Sequence, residues 1–148
     1  MWLIHGRLIP SVALALAAPT LLAGPAMAAG PVTMTTGLSG AAEVPGPGAP
    51  NGAGTASITV DSARGQVCFS LTATGTDTPT MAHIHKGAVG VAGPVIVALD
   101  PPASGSSSGC KPAEPEVITA LLATPTDYYV NVHTAAFPKG AMRGQLGQ

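Results

Sequence analysis

Three histidines carry the most specific chemical signal in this chain of 148 residues. His83 and His85 stand in a His-Ile-His run, and His133 ends a Val-Asn-Val-His run. Strand residues two apart share a face, about 7 Å from one another. His83 and His85 are then side by side, with Ile84 turned away. If the strand ending in His133 neighbours the first, three imidazoles converge. Such a set suits copper or zinc, with nitrogen ligands at about 2.0–2.1 Å for zinc. The same histidines also suit a structural role, bonding to loop backbone and fixing strand ends. Spacing alone does not separate the two. No carboxylate is placed as an obvious fourth ligand, so a metal here would keep an open position.

The other reactive residues are few. Cys68 and Cys110 are the two cysteines. An even pair in an exported chain points to a disulfide, and no C-x-x-C spacing supports a metal or redox thiol. Glu43 stands nearly alone in an apolar loop and Arg143 nearly alone in the last strand. They form a candidate ion pair locking the two together, or else two solvated side chains. Gly105–Gly109 reads G-S-S-S-G, formally a nucleophile elbow, but that motif needs a strand before it and a helix after it. Here Pro101 and Pro102 precede it and Cys110 follows. Glu114 and Glu116 open a helix, and no glycine-rich phosphate loop is present. No catalytic residue is assigned, and the balance leans away from an enzyme.

Composition narrows the class. Charged residues make up 9%, against roughly 25% in an average soluble chain. Six basic residues against seven acidic ones give no footprint for nucleic acid. Fifteen prolines and 19 glycines exclude long helices and coiled coils. The N-terminus carries Arg7, then an apolar run broken by Pro10 and Pro19, then Ala26-Met27-Ala28. This reads as a secretory signal peptide over residues 1–28, too short and too proline-rich for a membrane anchor. Cleavage leaves residues 29–148 as one domain with no membrane span, secreted or periplasmic, large enough to bury a core.

The elements that must position the histidines are short strands between turns. Strands are expected at 32–40, 55–61, 66–75, 81–87, 95–99, 127–134 and in the last few residues. The second and third make a hairpin, since Ile58 and Val60 alternate with polar neighbours, as do Phe69 and Leu71. The continuous apolar run 95–99 suits a strand covered on both faces. Residues 101–112 read as a low-complexity loop pinned by Cys110. One helix is expected over 114–123, with Val117, Leu121 and Leu122 on its apolar face and acids at its start. About seven strands and one short helix predict an all-β fold, an antiparallel Greek-key sandwich or barrel, immunoglobulin-like or superoxide-dismutase-like.

Three runs together resemble the CHRD domain, named for its repeats in chordin. They are LSGAAEVPG at 38–46, HIHKGAVGVAGPVIVAL at 83–99 and YYVNVHTAAFPKGAMRGQL at 128–146. The resemblance spans nearly the whole chain after the signal peptide. Ala141-Met142 depart from it, standing where the family often has an acidic residue. It implies a secreted immunoglobulin-like β-domain with no established enzymatic activity. The His-x-His strand is also similar to the copper-ligand strand of copper–zinc superoxide dismutase. Three histidines beyond the signal peptide exclude a two-metal site of that kind. The first expectation is a non-catalytic module with a binding or structural role toward an extracellular protein or matrix partner. The alternative is a mononuclear copper or zinc protein for metal binding or redox protection.

Overall fold

Alternation of apolar and polar residues builds most of the molecule. In the computed structural model, which describes residues 30–147, eight strands, one α-helix and two three-residue 3-10 turns are formed among the described residues. The signal-peptide expectation for 1–28 lies outside them. The strands are β1 (Val32–Ser39), β2 (Ala53–Asp61), β3 (Gln66–Thr74), β4 (Pro79–Lys86), β5 (Val95–Leu99), β6 (Ser106–Pro112), β7 (Tyr128–Thr134) and β8 (Met142–Gln145). Helix α1 is Pro115–Ala123. The strands form one sheet in the order β5-β4-β7-β8-β1-β2-β3-β6, and every pairing is antiparallel.

The sheet curls until its two ends meet. Ser107 Oγ donates to the Asp100 carbonyl at 2.7 Å, and Lys111 Nζ lies 2.7 Å from Asp100 Oδ1. With β5 brought beside β6 in this way, β4, β5 and β6 run in series and β3 returns next to β6. That is a Greek key inside a nearly closed barrel, and the expected all-β class with one short helix is observed.

The β2–β3 hairpin runs in register from Ala53 opposite Thr74 to Asp61 opposite Gln66. Its turn is closed by the Arg64 amide donating to Asp61 Oδ1 at 3.0 Å, with Gly65 at φ 62°. Inward positions such as Ile58, Leu71, Ile84, Val130, Val132 and Met142 are fully buried. Helix α1 begins with Pro115 at its first turn and caps the barrel with Ile118 and Leu121. Val117 and Leu122, expected on the buried face, are only partly covered.

Two expectations are corrected. Residues 106–112 are not a loop: they form β6, paired to β3 from Gln66 opposite Pro112 to Thr72 opposite Ser106. Its sequence shows no apolar period because β3 fills the space. A Cβ at Gly109 would lie 3.3 Å from the Phe69 ring. Nor is β5 covered on both faces. It is a terminal strand of the sheet, with Val97 and Leu99 inward and Val95 49% exposed. The strands buried along their whole length are β7 and β8.

The two sides of the barrel wall differ. Outside β1, β2, β3 and β6 the surface is hydroxyl-bearing. Thr35, Ser57, Ser70 and Ser108 stand in one row across four strands, and hydroxyls pair between Thr33 and Thr59 at 2.7 Å and Thr55 and Thr72 at 2.8 Å. Outside β4, β7 and β8 the wall is covered by the loops 87–94, 40–51 and 135–141. Beneath them lies a layer of polar side chains, Glu43, His85, Asn131, His133, Arg143 and Gln145, all buried.

Candidate metal centre

Register places the histidines. On β4, Ala82 and Ile84 point into the core, so Met81, His83 and His85 point outward. On β7, Val130 and Val132 point inward, so Tyr129, Asn131 and His133 share the outer face. Met81 is opposite His133, His83 opposite Asn131, and His85 opposite Tyr129. The expectation that the two strands neighbour one another is met, and His133 is diagonal to His83. The ring centroids lie 5.0 Å apart for His83 and His133, 5.5 Å for His83 and His85, and 5.9 Å for His85 and His133.

Each ring has one nitrogen directed into the cluster. His85 Nδ1 is 2.9 Å from the Gly93 carbonyl oxygen, and His133 Nδ1 is 3.2 Å from that of Pro138. A carbonyl only accepts, so both Nδ1 atoms carry the proton and both Nε2 atoms keep a lone pair. His83 Nδ1 donates to His133 Nε2 at 3.1 Å. His85 Nε2 is buried with no hydrogen-bond partner. One ligand atom from each of the three lies within 4.8 Å of the other two. Tetrahedral coordination at the usual zinc–nitrogen length needs about 3.3 Å between nitrogens. His83 Nδ1 and His133 Nε2 already lie at 3.1 Å, and the rings must draw together for all three to share one ion.

Electrostatics keep the rings neutral. Burial pushes the His83 pKa down to about 4, helped by His133 and His85. His85 and His133 are lowered too, first by burial, against the opposing pull of the Gly93 and Pro138 carbonyls. His85 and His133, each with Nδ1–H held by a carbonyl and Nε2 turned to the cluster, have the inner and outer arrangement of histidine metal ligands, whereas His83 must give up its Nδ1 proton or shift it to Nε2 before Nδ1 can bind an ion.

Tyr129 was not singled out from the sequence, yet it organises the wall. Its ring stacks on His85 at 4.9 Å and 8°, and the Arg143 guanidinium carbon sits 3.5 Å over its centroid. Its hydroxyl accepts from the Gly93 amide at 3.1 Å. That contact holds the carbonyl of the same residue against His85. The available signal was its place four residues before His133, on the same strand face.

Glu43 and Arg143 do not form the expected ion pair. Among the described residues the ion pairs are Asp61–Arg64 and Asp100–Lys111. Arg143 instead donates to the Val91 and Ala88 carbonyls, both at 2.8 Å, and to Gln145 Oε1 at 3.2 Å. Its fork is thereby used to fasten the 87–94 loop. Glu43 is 6% exposed and accepts from Asn131 Nδ2 at 3.3 Å, leaving Glu43 Oε1 and Asn131 Oδ1 without partners. Burial drives its pKa up to about 7, against the weaker pull of Arg143 and of bonds from Val44 and Asn131.

Cys68 and Cys110 are joined, opposite one another on β3 and β6 with Cα atoms 3.9 Å apart. The bridge ties two paired strands rather than anchoring a loop. The Ser-rich run before it supplies no nucleophile elbow, since Gly105 leads into β6 and Ser107 is bonded to Asp100. No helix among the described residues is long and apolar enough to cross a membrane.

Comparison with known proteins agrees with the motifs. The CHRD domain matches residues 34–146, from the third residue of β1 to just past β8. No curated protein and no solved structure matches the chain. CHRD domains are extracellular, a setting that the disulfide fits. The matched span contains both the histidine strands and the barrel that positions them, and the chain belongs to the CHRD domain family.

Proposed function

We propose that this protein is an exported, non-catalytic CHRD module whose role is to bind a single copper or zinc ion through His83, His85 and His133. One observation carries the reading. His85 Nε2 is buried and unpartnered, directed at two further imidazole nitrogens within 4.8 Å. An orphaned buried acceptor costs about 1–3 kcal/mol, and a metal ion shared with His83 and His133 is a partner that would remove that cost at His85. The carbonyls of Gly93 and Pro138 support it by fixing the tautomers. When bound, the ion would supply Lewis acidity or one-electron chemistry at an open coordination position. The chain's own residues hold it and shield it with Tyr129 and the 87–94 loop.

The second reading is structural. The His83–His133 hydrogen bond at 3.1 Å supports it, because it already links β4 to β7 without an ion. Titration of metal-free protein with Cu²⁺ and Zn²⁺, followed by thermal melting, separates the two. Metal binding predicts a rise in melting temperature that His85→Ala abolishes. A purely structural cluster predicts no change with metal or chelator, and a loss of about 1–3 kcal/mol in His→Ala variants. No binding tighter than millimolar would refute the metal reading. Export is tested by N-terminal sequencing of protein from the culture medium and periplasm, which should begin at residue 29.

A further inference from the structure

The outward face of β4 carries one more potential ligand than the histidines. Met81 is two residues before His83 and directly opposite His133 on β7. Opposed residues on one face have Cβ atoms about 4.5–5.5 Å apart. Its neighbours Ala82 and Ile84 are fully buried in the core, whereas Met81 is 45% exposed. A large apolar side chain is thus left half in solvent beside three imidazoles. A methionine side chain turns about three bonds and carries a soft thioether. Among the described residues no cysteine or carboxylate joins the three histidines. Met81 is thus the side chain placed to supply a soft fourth ligand.

We infer that Met81 closes the site as a thioether ligand and makes it selective for cuprous copper over zinc. This rests on the metal reading of the three histidines. Thioethers bind Cu(I) well and Zn²⁺ poorly, since zinc takes imidazole, thiolate and carboxylate. Three neutral imidazoles and one neutral thioether also bring no negative charge to the site, which suits a monovalent ion better than a divalent one. The arrangement is tetrahedral in number and open on the Met81 side, so the ion enters from solvent past a movable side chain.

The test competes the exported protein and its Met81→Leu variant against bicinchoninate for ascorbate-maintained Cu(I), and against a zinc chromophore for Zn²⁺. Leucine keeps the bulk and the exposure but lacks the sulfur. Metal-free melting curves of the two should coincide, which shows that the fold is intact. The expected result is a loss of roughly tenfold or more in Cu(I) affinity, with Zn²⁺ affinity within about twofold. X-ray absorption at the copper edge should show one sulfur neighbour in the parent and none in the variant. Equal Cu(I) affinities with no sulfur neighbour would overturn the assignment of Met81 and leave the three-histidine site standing. Failure of the parent protein to bind either ion would overturn both.

Discussion

Replacing Glu43 by glutamine should stabilise the protein, and the gain should depend on pH in a defined way. Glu43 is buried, its pKa raised from 4.5 to about 7 chiefly by desolvation. The folded state therefore holds a proton that the unfolded state releases between those two values. A raised folded pKa means stability is highest below the unfolded value and falls as pH rises through the folded one. One pKa unit corresponds to about 1.4 kcal/mol. The destabilisation from burying the Glu43 carboxyl works out at about 1 kcal/mol at pH 5 and about 3 kcal/mol at pH 8. Glutamine carries no charge, and its amide can donate to Asn131 Oδ1, which lacks a partner. Chemical denaturation of metal-free parent and Glu43→Gln at both pH values reads the effect. His83 acts in the opposite sense: its folded pKa of about 4 against 6.5 makes stability rise with pH between those values. It is present in both chains and cancels in the difference. The variant should be ahead by an amount that grows by about 2 kcal/mol from pH 5 to pH 8. A difference that is flat with pH, or a parent that is the more stable at pH 8, would refute the reasoning.

The remaining expectations are shorter. Gly140 has φ 142°, and a Cβ there would strike the Glu43 carboxylate, so Gly140→Ala should cost more than about 2 kcal/mol by denaturant unfolding. Removing both cysteines opens a bridge spanning 42 residues, which on a chain-entropy basis costs about 4 kcal/mol by the same assay. Tyr129→Leu removes the stack on His85 and the bond to the Gly93 amide, and should weaken Cu²⁺ or Zn²⁺ binding roughly tenfold by competition titration. His83 should titrate near pH 4 in metal-free protein, with its ring proton shifts followed by NMR; a midpoint near 6.5 would mean the ring is not desolvated.

What the sequence made legible follows from which forces leave a pattern. The β2–β3 hairpin and the shared face of His83 and His85 rest on the two-residue period of a pleated strand, so both were visible. The disulfide followed from the cysteine count and the expected export alone. Strand β6 was hidden because its inner positions, Ser107 and Gly109, do not fill the core. Phe69 from β3 occupies the space beside Gly109, and a strand without large inward residues has no apolar signature. The run Val95–Leu99 misled for the converse reason, since apolar continuity does not say whether anything covers the outer face. Coverage of β7 comes from three loops distant in sequence. The same loops explain Glu43 and Arg143. As scarce opposite charges they stood out, and both do reach the polar layer. But the guanidinium finds the Ala88 and Val91 carbonyls, partners that exist only once the 87–94 loop is laid down.

The rows of hydroxyls outside β1, β2, β3 and β6 bear on how copies of this protein meet one another. With net charge −1, long-range repulsion between molecules is slight, and a half-barrel face of that width would ordinarily invite stacking. Serine and threonine hold water by both donating and accepting, and several here are already paired across strands. A face of this kind offers hydrogen bonds to water, which two copies must give up before they touch. Colloidal stability then rests on hydration rather than charge, and it persists in high salt, where electrostatic repulsion is screened within a few ångströms.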